Sequence, residues 1–267
     1  MATSKGVIDP AARDGGEMFI GWAGAPAVDR RFLLAALPFG LAAGGAASWA
    51  IADNLNDPGA GAWLTNATHR VTGVLGAAPY PVLRVADPNT PFGMRTVLIM
   101  AEGKCTSALD LADQIGRTVD VAGVLIQRKD RQAVEVPLFL EDWLSPASAP
   151  AENAAALAAP PTRSYGRATL AGTIMDSKCF FGVMRPGRGK THKACASLCI
   201  RGGIPPSFWV RDRNGAETVL LLTNADGGRA SEAILPLVAD PVEATGDLVR
   251  VGDLLQFRVS ADAFARL

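Results

Sequence analysis

Aliphatic and β-branched residues gather in six short runs separated by glycine and polar turns. They are VTGVL (71–75), TVLIM (96–100) and VDVAGVL (119–125), then LAGTI (170–174), TVLLL (218–222) and VEATGDL (242–248). Short β-branched runs bounded by turn residues read as strands. The second three repeat the first three. The spacing from Val97 to Gly123 nearly equals that from Val219 to Gly246. From the first glycine to the middle run the copies differ: Gly73 to Val97 is short, and Gly172 to Val219 is longer by about two dozen residues. A helical pattern lies between the second and third runs of each copy, at 107–115 and 231–238.

Strands, one intervening helix and glycines where a strand must bend predict a mostly β protein made of two tandem small barrels. The OB fold, a five-stranded barrel with a helix between two of its strands, fits this order; a β-sandwich is the alternative. The expected organisation is a first β domain at 63–144, an extended Ala/Pro-rich linker at 145–162, and a second β domain at 163–267. The second domain carries an insertion at 176–206.

The N-terminal pattern is different. Residues 32–52, FLLAALPFGLAAGGAASWAIA, hold no charge and no polar face. At about 1.5 Å per residue this reaches across a bilayer core. Arg30 and Arg31 precede it and Asp53 follows. The positive-inside rule then puts residues 1–31 in the cytoplasm and the β domains in the periplasm of a bacterial inner membrane. Arg30-Arg31 followed by Phe32-Leu33-Leu34 has part of a twin-arginine export signal, and Ala50-Ile51-Ala52 has the form of a cleavage site. The preceding segment is long for a leader and holds the apolar stretch EMFIGW (17–22), so the helix is read as a retained anchor.

Charge and cysteine usage narrow the chemistry. The 26 basic and 26 acidic residues balance, which argues against a nucleic-acid surface. Gly189-Lys190-Thr191 invites a phosphate-loop reading, but the required earlier glycine falls on Met184, so no nucleotide is expected. Four cysteines are too few for a disulfide scaffold. Three of them, Cys179, Cys195 and Cys199, fall inside the insertion beside His192.

The run HKACASLC (192–199) reads as a short helix with Thr191 as N-cap and Gly202-Gly203 as its stop. Cys195 and Cys199 then form an i,i+4 pair, with His192 on the same stripe and Cys179 arriving from the preceding strand. Three thiolates and an imidazole suit tetrahedral Zn²⁺, so Cys179, His192, Cys195 and Cys199 are the candidate metal ligands. His192 and Cys199 are about 10 Å apart along a regular helix. One ion reaches both only if His192 lies on a frayed first turn, or another group such as Asp176 completes the site. An iron–sulfur centre uses the same residue types, although no ferredoxin or Rieske spacing is present.

Two other readings stay open at this point. In an oxidising compartment Cys179 can bridge Cys195 or Cys199. Alternatively, Arg185, Arg188, Lys190, Lys193 and Arg201 lower a thiol pKa for nucleophilic or redox chemistry. No Ser-His-Asp set, metalloprotease helix or carboxylate pair stands out. His69 and Cys105 are read as ordinary surface or loop residues.

The pattern Asp176-x-x-Cys179, His192-x-x-Cys195-Ala196-x-x-Cys199 and Gly203-x-Pro205 resembles one in small, β-rich bacterial exported domains of uncharacterised activity, with a D-x-x-C…H-x-x-C-A-x-x-C…G-x-P core. The anchored arrangement also resembles accessory subunits of membrane redox complexes, such as those pairing a molybdenum enzyme with a b-type cytochrome. That likeness implies a non-catalytic subunit or assembly factor with protein partners in the membrane.

Overall fold

The computed structural model describes residues 27–53, 61–129, 131–137 and 141–267. The stretch EMFIGW and residues 54–60 lie outside them. Helix α1 (Ala27–Asp53) belongs to one compact unit, and the β-rich body from Pro58 to Leu267 is another. From Asp29 to Asp53 the helix has a mean hydropathy of 1.5 and none of its apolar window is buried. Among the described residues it is the one helix long and apolar enough to cross a membrane.

The body is mostly β, in two six-stranded sheets. The first holds β1 (Gly61–Gly76), β2 (Val82–Ala86), β3 (Met94–Ala101), β4 (Thr118–Arg128), β5 (Arg131–Val136) and β6 (Leu144–Pro146). The second holds β7 (Thr162–Asp176), β8 (Pro206–Arg211), β9 (Glu217–Thr223), β10 (Pro241–Val251), β11 (Leu254–Arg258) and β12 (Phe264–Arg266). The pairing order is β1-β2-β3-β5-β4-β6 in one and β11-β9-β8-β7-β10-β12 in the other. The added pairings β1–β4 and β10–β11 close a ring of five strands in each sheet. Every pairing has its counterpart six strands later, including the parallel pairs β3–β5 and β9–β11. The sequence repeat is therefore a repeat of topology.

The repeated glycines show why the rings close tightly. A Cβ at Gly123 would lie 2.3 Å from the Glu135 carbonyl oxygen, and one at Gly246 would lie 2.3 Å from that of Arg258. These two glycines match in the repeat, and only a residue without a side chain lets the strand coil that close to its neighbour.

Two expectations are corrected. The segments at 107–115 and 231–238 are 3-10 turns (Thr106–Ala108, Ala112–Gln114 and Glu232–Leu237), not α-helices. Pro236 lies inside the last of these and has no N–H to give an α-helical bond. The segment 145–162 is not simply extended. It contains α2 (Ala154–Ala158), whose Leu157 is buried with Val74 and Met94 of the first sheet. Ala151 and Ala154 pack against the same cluster, and Ala151 N–H donates to Thr118 Oγ1 (3.1 Å).

The two barrels share a core. Tyr80, Val82, Leu98, Met100 and Ile126 of the first cluster with Met175, Phe180, Phe181, Ile204, Leu221 and Leu254 of the second. Each fully buried large side chain contributes about 1.5–3 kcal/mol, so this seam is a major source of stability. Its contacts come in reciprocal pairs. Tyr80, from the β1–β2 connection, donates to the Leu222 carbonyl (3.1 Å) at the end of β9 and accepts from Ala230 N–H (2.9 Å). The β7–β8 insertion answers at the end of β3, where Lys178 Nζ donates to the carbonyls of Ala101 (2.9 Å) and Gly103 (3.0 Å). Asp253, in the β10–β11 turn, accepts from Thr96 N–H (3.0 Å) near the start of β3. Arg128, at the matching turn of the first barrel, lies 3.5 Å from Glu217 at the start of β9. The seam is thus built like an isologous dimer interface, in which each half makes the other's contacts.

Candidate metal centre

The insertion between β7 and β8 is where the repeats differ, and it holds the chemistry. β7 ends at Asp176. Its Oδ1 accepts from Cys179 N–H (2.8 Å), capping α3 (Ser177–Phe181). The cap satisfies one of the donors that a helix start leaves open. Ser177 Oγ bonds the Pro205 carbonyl and Ser207 Oγ, both at 2.7 Å, and thereby ties α3 to the start of β8. Cys179 is held pointing inward, 2% exposed.

Helix α4 (Lys193–Arg201) brings the other two thiols. Ala196 and Cys199 are buried, Cys195 is partly buried beside them, and Ala194, Leu198 and Arg201 face outward. The helix stops at Gly202, as the sequence indicates. The Sγ atoms of Cys179, Cys195 and Cys199 all lie within 4.8 Å of one another. These three residues can hold a metal ion. All four cysteines of the chain are free thiols, and Cys105 is exposed and outside the group.

His192 is placed differently from its expected position on the helix. It closes a 3-10 turn (Lys190–His192) and is itself the N-cap of α4, a role expected of Thr191. Its Nε2 lies 2.9 Å from Asp176 Oδ2, with both residues at most 2% exposed. A carboxylate only accepts, so the ring donates. His192 joins Asp176 and Cys179 in a second group whose ligand atoms lie within 4.8 Å, and not the group with Cys195 and Cys199. The two groups share Cys179, so the insertion offers a thiol side and an Asp–His side.

Sequence reasoning missed Lys104. Its Nζ lies 3.0 Å from Cys195 Sγ and 3.1 Å from Cys199 Sγ. Two of the cations expected to act on the thiols are engaged elsewhere, and Arg185, Lys190 and Arg201 are exposed. Lys193 bonds Asp240 Oδ2 and the Pro236 carbonyl, each at 2.7 Å, and Arg188 stacks on Trp209. Lys104 gave no sequence signal, because it sits in the other barrel.

The thiols do not share one acidity. Cys199 is pushed down to about 6, first by the hydrogen bond it accepts from Cys179 and then by the Lys104 ammonium, against the effect of burial. Cys179 is pushed up, because it donates to Cys199, is buried, and faces the negative Asp176. Lys104 is pulled up, chiefly by its bond to Cys195. The pair Cys179–Cys199 therefore holds one proton over a wide range, and the titration belongs to the pair. In metal-free protein the ultraviolet thiolate absorbance is expected to rise with a midpoint near pH 6. The sign for stability follows from linkage. The lowered Cys199 value contributes stability fully above the ordinary thiol value of 9.0, and that contribution is lost as pH falls through about 6. The raised Cys179 value contributes below 9.0 and is lost at higher pH. Metal-free protein should then melt progressively higher from about pH 6 to about 9 and lower beyond, and a flat melting profile from pH 5 to 9 would refute the shared proton.

No protein-family profile matches this chain, and no curated protein matches it either.

Proposed function

We propose that this chain is a membrane-anchored, extracytoplasmic zinc protein built on two OB-like barrels, acting as a non-catalytic subunit or assembly factor of a membrane redox complex. The observation that carries the reading is the convergence of three thiols, from two short helices, within 4.8 Å, two of them buried and Cys195 partly so. Around a tetrahedral Zn²⁺ with Zn–S near 2.3 Å, sulfurs stand about 3.8 Å apart, a separation that lies inside the 4.8 Å bound. Cys179, Cys195 and Cys199 are the ligands. Asp176 and His192 orient the site through the α3 cap and the bond between them. The ion supplies cross-linking of the insertion, and thiolate ligands select soft or borderline ions.

Burial speaks against thiol exchange at Cys199, which is 1% exposed, because an attacking thiolate must be reached by its substrate. The five-stranded rings with a turn between β3 and β4 support the OB-like assignment. Arg30 and Arg31 before the apolar helix and Asp53 after it support an extracytoplasmic body. The exposed Met184 and Leu198 beside exposed Arg185, Lys190 and Arg201 support docking of the ordered insertion on a protein partner.

The test is elemental analysis with thiol counting on the full chain in detergent. About one zinc per chain, with thiols that react only after chelation, is expected. Metal-free protein that takes up no zinc and has two of these cysteines oxidised would replace the reading with a disulfide staple. Stoichiometric iron with visible absorption would replace zinc by an electron-transfer centre.

A further inference from the structure

We infer that Lys104 of the first barrel is the charge-balancing residue of the thiolate centre, so that the metal site is divided between the two repeats. The inference rests on the zinc reading above and adds to it the cation that offsets the thiolates.

The charge count motivates it. Three thiolates around a divalent ion leave one negative charge, and burying an uncompensated charge is costly. The described residues place one ammonium in hydrogen-bond reach of two of the three sulfurs, that of Lys104. With it, the charges of three thiolates, one divalent cation and one ammonium cancel among themselves, while the Asp176 carboxylate beside Cys179 has its own donors in Cys179 N–H and His192. A monovalent ion would leave the thiolates with an uncancelled charge, so the arrangement favours a divalent ion.

The position of Lys104 is built, not a chance side-chain orientation. Its own carbonyl lies against Gly202 at the end of α4, where a Cβ would come within 1.5 Å of that oxygen. Ser107 N–H donates to the Gly202 carbonyl (2.9 Å). Gly203, at φ +96, brings its Cα close to Ser107, where a Cβ would lie 2.7 Å from the Ser107 nitrogen. On the other side Lys178 grips the Ala101 and Gly103 carbonyls. The chain from Ala101 to Ser107 is thus seated on the insertion at each end, and the Lys104 side chain is delivered to the sulfurs between them. The two glycines after α4 end the helix and also let the first barrel's loop reach the metal centre.

The experiment measures zinc affinity of the full chain by competition with a chromophoric chelator, for wild type, Lys104→Met, Lys104→Gln and Lys104→Arg. Groups just outside a metal's ligands change affinity by roughly 10–100-fold. Lys104→Met and Lys104→Gln are expected to weaken zinc by at least about 10-fold, whereas Lys104→Arg, which keeps the charge, stays within a few-fold of wild type. Cobalt substitution adds a spectral check, because the thiolate-to-cobalt band should move in the Met and Gln variants and stay in the Arg variant. By reciprocity, zinc should slow exchange of the Ser107 amide in wild type more than in Lys104→Met. If wild type binds zinc and Lys104→Gln binds it equally well, the charge role is overturned while the zinc site stands. If wild type binds no divalent ion, the zinc reading itself falls. Circular dichroism of each variant separates loss of fold from loss of affinity, and Lys104→Gln carries the test should Lys104→Met fail to fold.

Discussion

Replacing Lys178 by methionine should cost the folded protein about 3–5 kcal/mol, the range for removing one member of a buried ion pair. Lys178 is 3% exposed although it is a lysine. Its ammonium pairs with Glu135, bonds two carbonyls of the first barrel, and lies 5.6 Å from the Trp63 ring centre. Methionine keeps the length and the apolar stem but removes every one of those bonds. Glu135 would keep only Trp63 Nε1–H, at 3.0 Å, as its donor among these groups. The Ala101 and Gly103 carbonyls would lose their partner inside the seam. Denaturant unfolding of the full chain should show a lower midpoint with an unchanged slope, because the native surface is otherwise the same. The double variant with Glu135→Gln should recover part of the loss, since it removes the stranded charge. A loss under about 1 kcal/mol would mean that the pair behaves like a surface salt bridge, and that the apolar seam alone joins the barrels.

The parts legible in sequence were those whose cause is local. All six predicted runs fall within strands, because β-branched residues between glycines mark a strand without reference to the rest of the chain. The insertion was legible as the one place where the repeats differ in length. The remaining strands were not read. VLRVA, RQAVEV, PSFWVR and LLQFR are short and carry an arginine or a proline that weakens their pattern. They become strands because a closed ring pairs both of their edges. The site divided in the same way. Cys195 and Cys199 at helical spacing and Cys179 upstream were read as neighbours and lie together, but Cys179 stands on α3 and not on the preceding strand, because Asp176 caps a helix there. His192 was put on the same helix by spacing, whereas Asp176 draws it into the preceding turn. Lys104 lies 91 residues from Cys195 and becomes its neighbour only when the two barrels share a core.

Asp176 is where fold and site meet, and its removal should affect both. One oxygen caps α3 through Cys179 N–H, and the other holds His192. Asp176→Ala loses a cap worth about 1 kcal/mol and leaves a buried imidazole donor unsatisfied, at about 1–3 kcal/mol. The sum is a loss of about 2–4 kcal/mol, read by denaturant unfolding. Asp176→Asn should lose less, because its oxygen can still accept from Cys179 N–H while its amide nitrogen faces His192, which accepts only in its other tautomer. Metal affinity then decides what His192 does. In the arrangement described, Asp176 positions Cys179 and steadies His192 beside it, so Asp176→Ala should weaken zinc by roughly 10–100-fold, as loss of an outer hydrogen bond does. Were His192 instead a ligand held off the ion by Asp176, the same substitution would free the ring and binding would hold or tighten. Zinc competition on this one variant, with its fold checked independently, therefore separates a three-thiolate centre from the Cys₃His centre that the spacing first suggests.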